Sequence, residues 1–125
     1  MTRATPAAAT VYHHPTCSTC KRALAWLQQQ RVAVTPVPIA EAPPTADQLE
    51  AAITRSGLPA KRFFNTSGQS YRGGGWSAKV DQLSLREAAE ALAADGMLIK
   101  RPLLLRGDVV LVGFSEPAWA AALGT

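Results

Sequence analysis

The sequence predicts a mixed α/β fold, and three observations support this prediction. Apolar strand signals at residues 10–13 and 32–39 flank a helix signal, so a helix connects the first two strands. Helical segments that begin at capping residues occupy the middle of the chain. Two apolar runs, at residues 102–106 and 109–113, enclose a two-residue Gly-Asp turn, which is the pattern of a β-hairpin.

The first strand, the helix and the second strand form a β-α-β unit. The helix is expected over residues 18–31, because apolar side chains recur there at helical spacing. Strands that are joined by a helix run parallel. Pro36 and Pro38 predict that the second strand lies at an edge of the sheet or ends early, because proline cannot donate a ladder hydrogen bond.

Capping residues mark the helices that follow. Thr45 is expected to cap a helix over residues 46–56. Ser84 is expected to cap another over residues 85–94, and Glu87 stands at the spacing of a capping box. Both helices precede the hairpin, so they form a helical insertion between the second and third strands.

The remaining segments complete a thioredoxin-like layout. Between the two capped helices we expect a short helical piece at residues 61–64 and a flexible, glycine-rich connector at residues 71–76. Ser115 is expected to cap a closing helix. The sheet is then mixed and four-stranded, with a parallel first pair and an antiparallel hairpin. We expect one domain over residues 10–125, after a flexible N-terminus at residues 1–9.

Composition limits the classes of function. The chain has 125 residues, a net charge of +4 and a pI of about 9.5, which favours anionic partners. The basic residues are scattered, so we expect no direct nucleic-acid binding. No apolar run approaches the roughly 20 residues of a membrane span, and the N-terminus lacks the apolar core of a signal peptide. We therefore expect a soluble, cytoplasmic monomer.

Cys17 and Cys20 are the only cysteines, and they stand between the first strand and the first helix. The positive end of a helix favours a thiolate, which is the reactive form of a cysteine. Residues three apart on a helix are neighbours, so the two sulfurs can form a disulfide. The alternative interpretation is a pair of inert buried thiols, but strand, CxxC and helix together predict a thiol–disulfide redox site.

A metal site is the other interpretation of this region. His13 and His14 precede the cysteines and bring the number of possible zinc ligands to four. Adjacent strand residues point to opposite faces, and the usual Cys₂His₂ spacing is not present. We therefore predict no metal site, and we expect His14 at the surface.

The chain resembles the arsenate reductase/Spx family of thioredoxin-like proteins. Four ordered blocks carry the resemblance: residues 12–21 (YHHPTCSTCK), 63–72 (FFNTSGQSYR), 95–103 (DGMLIKRPL) and 112–116 (VGFSE). The resemblance as a whole runs from about residue 10 to about residue 123. The second block resembles an Spx-like or arsenate-reductase-like subgroup of this family.

The resemblance implies roles for four residues, and the CxxC spacing adds Cys20 as the resolving thiol. Cys17 matches the family's nucleophile. His13 matches a histidine that helps activate the thiol in the arsenate reductases. Arg101 matches an arginine that faces the nucleophile and would contact an anion, and Pro102 matches a proline that is typically cis.

Two departures from the family pattern bear on arsenate reduction. The glutaredoxin-dependent arsenate reductases have a single reactive cysteine in this motif, whereas Cys20 gives this chain its own resolving thiol. The other departure concerns the oxyanion site. The arsenate reductases of this family place three arginines around the nucleophile, and only Arg101 matches. Asn65 and Gly113 stand at the other two positions. A tetrahedral oxyanion needs several charge-assisted donors, so these departures disfavour arsenate reduction.

The sequence therefore predicts a thiol-dependent reductase that cycles between a dithiol and a Cys17–Cys20 disulfide. No bound cofactor is expected, and glutathione, glutaredoxin or thioredoxin is the expected reductant. The alternative is an Spx-like, redox-switched regulator that binds a subunit of RNA polymerase. Turnover separates the two, because an enzyme cycles with its reductant whereas a switch changes its affinity once.

Overall fold

A computed structural model describes residues 8–125. The flexible segment expected at residues 1–9 lies almost entirely outside this range, and Ala9 already belongs to the first strand. The strands are β1 (Ala9–His13), β2 (Val34–Pro38), β3 (Leu103–Arg106) and β4 (Val109–Val112). The α-helices are α1 (Ser18–Gln29), α2 (Ala46–Ser56), α3 (Gln69–Gly73), α4 (Leu85–Ala94) and α5 (Glu116–Leu123). Single 3₁₀ turns occupy Ala60–Phe63, Trp76–Ala78, Val80–Gln82 and Gly96–Leu98.

The four strands form one mixed sheet in the order β2-β1-β3-β4. β1 and β2 are parallel, whereas β3 is antiparallel to both β1 and β4. These pairings confirm the predicted thioredoxin-like architecture, with helices inserted between β2 and β3. β2 lies at one edge of the sheet, as its two prolines predicted, and β4 lies at the other edge.

Apolar side chains are buried on both faces of the sheet, because neighbouring strand residues point to opposite sides. Tyr12 and Leu103 face the inserted helices, where they pack in a cluster with buried residues of α2 and α4. Val11 and Leu104 face α1 and α5, where they join a second cluster that contains Trp119. The sheet is thus the middle of three layers.

The first helix begins where the sequence predicts but ends two residues earlier. Arg31 adopts a left-handed conformation, with φ of 58°, and so cannot continue the helix. The amide of Arg31 donates to the carbonyl of Gln28, and that of Val32 donates to the carbonyl of Leu27. These two bonds form a Schellman motif, which satisfies the last carbonyls of α1.

The predicted caps are present. Thr45 and Gln48 form a capping box at the start of α2, and Ser84 and Glu87 form another at the start of α4. Ser115 accepts a hydrogen bond from the first turn of α5. None of the helices in residues 8–125 is long and apolar enough to cross a membrane.

The connector predicted at residues 71–76 is wrong, because this segment includes part of α3 and one 3₁₀ residue. Tyr71 is buried and packs edge-on against Phe64, with ring centroids 6.2 Å apart. Trp76 lies 5.9 Å from the same ring. These aromatic contacts order the segment, although three consecutive glycines favour an irregular loop in the sequence.

Gly96 sets how closely the turn before β3 approaches the end of β2. A Cβ atom at position 96 would overlap the backbone carbonyl oxygen of Ile39, and backbone cannot move aside as a side chain can. We expect Gly96→Ala to lower the free energy of unfolding by about 3 kcal/mol, as overpacking of a tight contact does. Urea denaturation measures this change.

Gly73 provides the matched control for that substitution. A Cβ atom there would have no heavy atom within 4 Å, and the residue ends α3. Gly73→Ala should leave the stability unchanged or raise it by up to about 1 kcal/mol. Equal midpoints of urea denaturation for the two variants would show that the contact between Gly96 and Ile39 does not constrain the fold.

Candidate active site

Cys17 is the residue that caps α1. Its backbone is extended, with φ of −87° and ψ of 107°, and its Sγ accepts the backbone N–H of Cys20 at 3.1 Å. The amide of Cys17 donates to the carbonyl of His14 at 3.0 Å, which holds the loop before the helix. The half-buried sulfur therefore occupies the place of an N-cap oxygen, at the positive end of the helix dipole.

Cys20 lies in the first turn of α1 and is buried, with 1% of its surface exposed. Desolvation by burial, followed by the hydrogen bond with Cys17, raises the pKa of its thiol to about 12. A backbone hydrogen bond with His14 and the positive charge of Arg101 act in the opposite direction. Both cysteines are free thiols, so the pair consists of a reachable sulfur and a buried, protonated one.

A cavity of about 670 Å³ opens beside Cys17. Residues from the start of α1, the loop after Phe64, the approach to β3, and β4 with α5 line it. Its charged lining residues are Arg22, Lys100 and Arg101, and no carboxylate is among the lining residues. The cavity is therefore positively charged, which suits an anionic ligand.

Arg101 precedes Pro102, and the peptide bond between them is cis, as the family resemblance implied. One terminal nitrogen of the guanidinium lies 3.4 Å from the carbonyl oxygens of Met97 and Ile99. Its Nε is buried and has no hydrogen-bond partner within residues 8–125. The two backbone carbonyls thus hold one side of the guanidinium, and the Nε–H group of Arg101 has no acceptor among the described residues.

The positions of the two missing arginines lie in this same cavity. Asn65 and Gly113 both line it, together with Arg101. A Cβ atom at Gly113 would lie 3.2 Å from Cε and 3.9 Å from Nζ of Lys100. The side chain of Lys100 therefore passes over Gly113 and places an ammonium group where a larger residue at position 113 would begin.

Sequence reasoning missed Lys100 and Arg22 as lining residues. Lys100 stands next to Arg101 in the sequence, but only its contact with Gly113 distinguishes it from a surface lysine. Arg22 lies on α1, five residues after Cys17, and donates to Thr19 at 3.5 Å. Its place near the start of the helix that Cys17 caps was the available signal.

Neither His13 nor His14 lines the cavity beside Cys17. His13 ends β1, is half-buried and does not line the cavity, so its role in activating Cys17 stays a prediction. His14 bonds through its ring to the hydroxyl of Thr16 at 2.8 Å. Within residues 8–125, no three side chains of His, Cys, Asp or Glu cluster as metal ligands would.

Comparison with known proteins places this site in a family. The ArsC family model matches residues 12–122, which is most of the chain. The chain belongs to the ArsC family. Among curated members, the uncharacterised protein YusI of Bacillus subtilis is 46% identical over 107 residues, which are 86% of this chain and 91% of YusI. The global transcriptional regulator Spx of Enterococcus faecalis is 24% identical over 86% of this chain and 80% of its own length.

Solved structures of ArsC-family proteins share the fold. A Streptococcus mutans protein described as a possible arsenate reductase is 48% identical, with a TM-score of 0.82 over 86% of this chain and 92% of its own. An ArsC-family-related protein from Bacteroides fragilis is 37% identical, with a TM-score of 0.88 over 94% of this chain and 99% of its own. Sequence identity and structural similarity therefore both support membership of the ArsC family.

The raised pKa of Cys20 predicts a loss of stability in alkali. Above pH 9.0, the ordinary pKa of the thiol, the unfolded chain releases this proton while the folded chain keeps it until about pH 12. The folded state then binds more protons, so the free energy of unfolding falls as pH rises across this window, by about 1 kcal/mol per pH unit from this group. Urea denaturation of the reduced protein between pH 8 and 11 measures the fall.

The matched control is Cys20→Ala, which removes the titrating thiol and keeps the other ionisable groups. The difference in stability between the two proteins should change with pH only above about pH 9. A constant difference up to pH 11 would contradict the raised pKa.

Proposed function

We propose that this ArsC-family protein is a thiol–disulfide oxidoreductase in which Cys17 is the nucleophile and Cys20 is the resolving thiol. The observation that carries the proposal is the hydrogen bond from the Cys20 amide to the Cys17 sulfur at the start of α1. It holds one sulfur at the mouth of a cavity and the second sulfur one helical turn behind it. This is the arrangement that two-step disulfide exchange needs.

The exchange proceeds in two balanced steps. The Cys17 thiolate attacks one sulfur of a substrate disulfide, the substrate S–S bond breaks, and its other sulfur leaves as a thiolate that takes up a proton. Cys20 then loses its proton and attacks the Cys17 sulfur, which releases the second substrate thiol and closes the Cys17–Cys20 disulfide. The substrate gains two electrons, and an external thiol such as glutathione or thioredoxin restores the dithiol.

The charged lining favours anionic disulfides as substrates. Three cations and no carboxylate line the cavity beside Cys17. A carboxylate of a glutathione-type substrate can pair there with Arg101 or Lys100, and such charge-assisted bonds orient the disulfide toward the sulfur. The cations therefore act on binding and orientation, and the two thiols carry the electrons.

Single-cysteine variants test the proposed exchange. Cys17→Ser should lose essentially all turnover of glutathione disulfide, because the attacking sulfur is missing. Cys20→Ser should retain the first step and accumulate a mixed disulfide at Cys17, since no resolving thiol releases it. Mass spectrometry of the intact protein measures the adduct, and a coupled assay with a thiol reductant measures turnover.

The two variants control for each other, since each removes one thiol of the same turn. Turnover in Cys17→Ser equal to that of the unmodified protein would refute the assignment of the nucleophile. An adduct on Cys20 rather than Cys17 in the unmodified protein would reverse the two roles.

Replacing Lys100 tests how much its positive charge contributes to the binding of an anionic disulfide. Lys100→Gln should raise the KM for anionic glutathione disulfide about three- to fivefold, at the upper end of the effect of one exposed ion pair, and should change the KM for neutral hydroxyethyl disulfide less. Lys79→Gln is the matched control, because Lys79 lies over the Trp76 ring and does not line the cavity. Equal KM changes for the two disulfides would contradict a charge contact.

A redox-switched regulator is the second candidate function. Its support is the set of Spx relatives, which are named as global transcriptional regulators and match 85–86% of this chain. Under this proposal the same disulfide changes the affinity for an RNA polymerase subunit. Capture of polymerase in only one redox state, with no turnover of disulfides, would favour the regulator over the enzyme.

Arsenate reduction is less well supported. Asn65 and Gly113 line the cavity where arginines are expected, so only Arg101 supplies a guanidinium from the three matched positions. Arg22 and Lys100 add charge, but Arg22 does not stand at one of the three matched positions, and a lysine cannot offer the bidentate donors that bind a tetrahedral oxyanion.

A further inference from the structure

The outer edge of β4 carries backbone groups that do not pair with any other strand in residues 8–125. The amide of Gly113 donates to the carbonyl of Pro102, so this pair is a hydrogen-bonded one in the antiparallel ladder. Such pairs alternate with non-bonded pairs along two antiparallel strands. In the observed register, Val112 lies opposite Leu103 and Val110 lies opposite Leu105. Both are therefore non-hydrogen-bonded pairs. The N–H and C=O groups of both valines point away from β3.

Nothing in residues 8–125 pairs with that edge. β4 ends the sheet, and no backbone hydrogen bond outside the ladder involves Val110 or Val112. An exposed strand edge is a template for pairing with another extended chain. The opposite edge of the sheet differs, because β2 contains Pro36 and Pro38, which lack N–H groups. Of the two edges, only that of β4 is free of proline.

The open edge lies in the cavity of Cys17. Val110, Val112 and Gly113 all line that cavity. It also reaches Leu58, which packs with the cluster on the α2 face, and Trp119, which belongs to the cluster on the α1 face. Because its lining comes from both faces of the sheet, the cavity follows the edge between them.

The end of this groove nearest to Cys17 is positive. Lys100 passes over Gly113, directly after β4, and Arg101 and Arg22 line the same cavity without a carboxylate. An extended segment that follows β4 therefore meets three cations as it approaches Cys17. Charge complementarity selects an acidic segment over a basic one.

We propose that β4 pairs with an extended, acidic polypeptide segment and so delivers a disulfide in that segment to Cys17. This inference rests on the proposed oxidoreductase function and names its substrate class as protein disulfides. The segment adds a fifth strand through the backbone groups of Val110 and Val112, and its carboxylates contact Lys100 and Arg101. Backbone pairing gives affinity that does not depend on most of the substrate's side chains.

The test compares two disulfides of different size. The peptide probe is a synthetic eight-residue chain with two glutamates and one cysteine, oxidised as a mixed disulfide with 2-mercaptoethanol. The small probe is hydroxyethyl disulfide, which has no backbone to pair. The measured quantity is the ratio of kcat/KM for the peptide to kcat/KM for the small disulfide.

Val110→Pro removes an outward N–H without removing a bond to β3, because position 110 lies in a non-bonded pair. We expect the ratio to fall about three- to tenfold, which corresponds to the loss of one hydrogen bond. Val110→Ala is the matched control, since it shortens the side chain and keeps the N–H, and its ratio should stay within about twofold of the original. Equal ratios for the two variants would overturn the proposal.

A second measurement does not depend on the proline variant. Cys20→Ser is trapped with the peptide on Cys17, and amide hydrogen exchange is compared with that of the same variant carrying only 2-mercaptoethanol. Slower exchange at Val110 and Val112 in the peptide complex supports strand addition, and unchanged exchange there overturns it.

The two proposals fail in different ways. If hydroxyethyl disulfide is not reduced, or is reduced equally by Cys17→Ser, the oxidoreductase proposal fails. If hydroxyethyl disulfide is reduced through Cys17 but the valine amides exchange unchanged, only the edge-pairing proposal fails. A peptide with two lysines in place of the glutamates should have a lower kcat/KM, and an equal value would refute the selection for acidic segments.

Discussion

The site depends on one hydrogen bond, from the backbone amide of Cys20 to the side-chain sulfur of Cys17. β1 leads through a short loop into α1, so the sulfur closes the first helical turn in place of a side-chain oxygen. The unpaired amides of a helix start and the helix dipole both stabilise negative charge at this point. Because the donor residue also carries the second thiol, a single turn of backbone fixes the position of both sulfurs.

Burial gives the thiol of Cys20 a different environment from that of Cys17. Desolvation and the contact with Cys17 both raise the pKa of Cys20, so its thiol stays protonated while Cys17 is free. When Cys17 forms a mixed disulfide it can no longer carry a negative charge, and its contribution to that pKa disappears. The opposing charge of Arg101 remains. In the proposed exchange, Cys20 therefore loses its proton more readily at the step in which it attacks Cys17.

Local signals made most of the fold predictable. The caps at Thr45, Ser84 and Ser115, and the turn of the hairpin, act within a few residues and can be read from sequence spacing. The structure of residues 71–76 could not be read in this way, because it depends on Tyr71 packing against Phe64 in a different element. The placement of Lys100 over Gly113 also escaped prediction, since it joins positions on opposite sides of the β3–β4 hairpin.

The size of the cavity bears on what the positive charges bind. A tetrahedral oxyanion has five heavy atoms and needs donors that converge on one point, whereas a cavity of about 670 Å³ lies in the range that holds a ligand of drug or peptide size. At position 113 the chain has a glycine, and Lys100 extends across it instead of a fixed guanidinium. Asn65 and Gly113 are both smaller than arginine, so the residues at these two positions fill less of the site beside Cys17 than arginines would. The charge that remains lies where the groove along β4 reaches the sulfur, which supports the proposal that the substrate is long and anionic rather than compact.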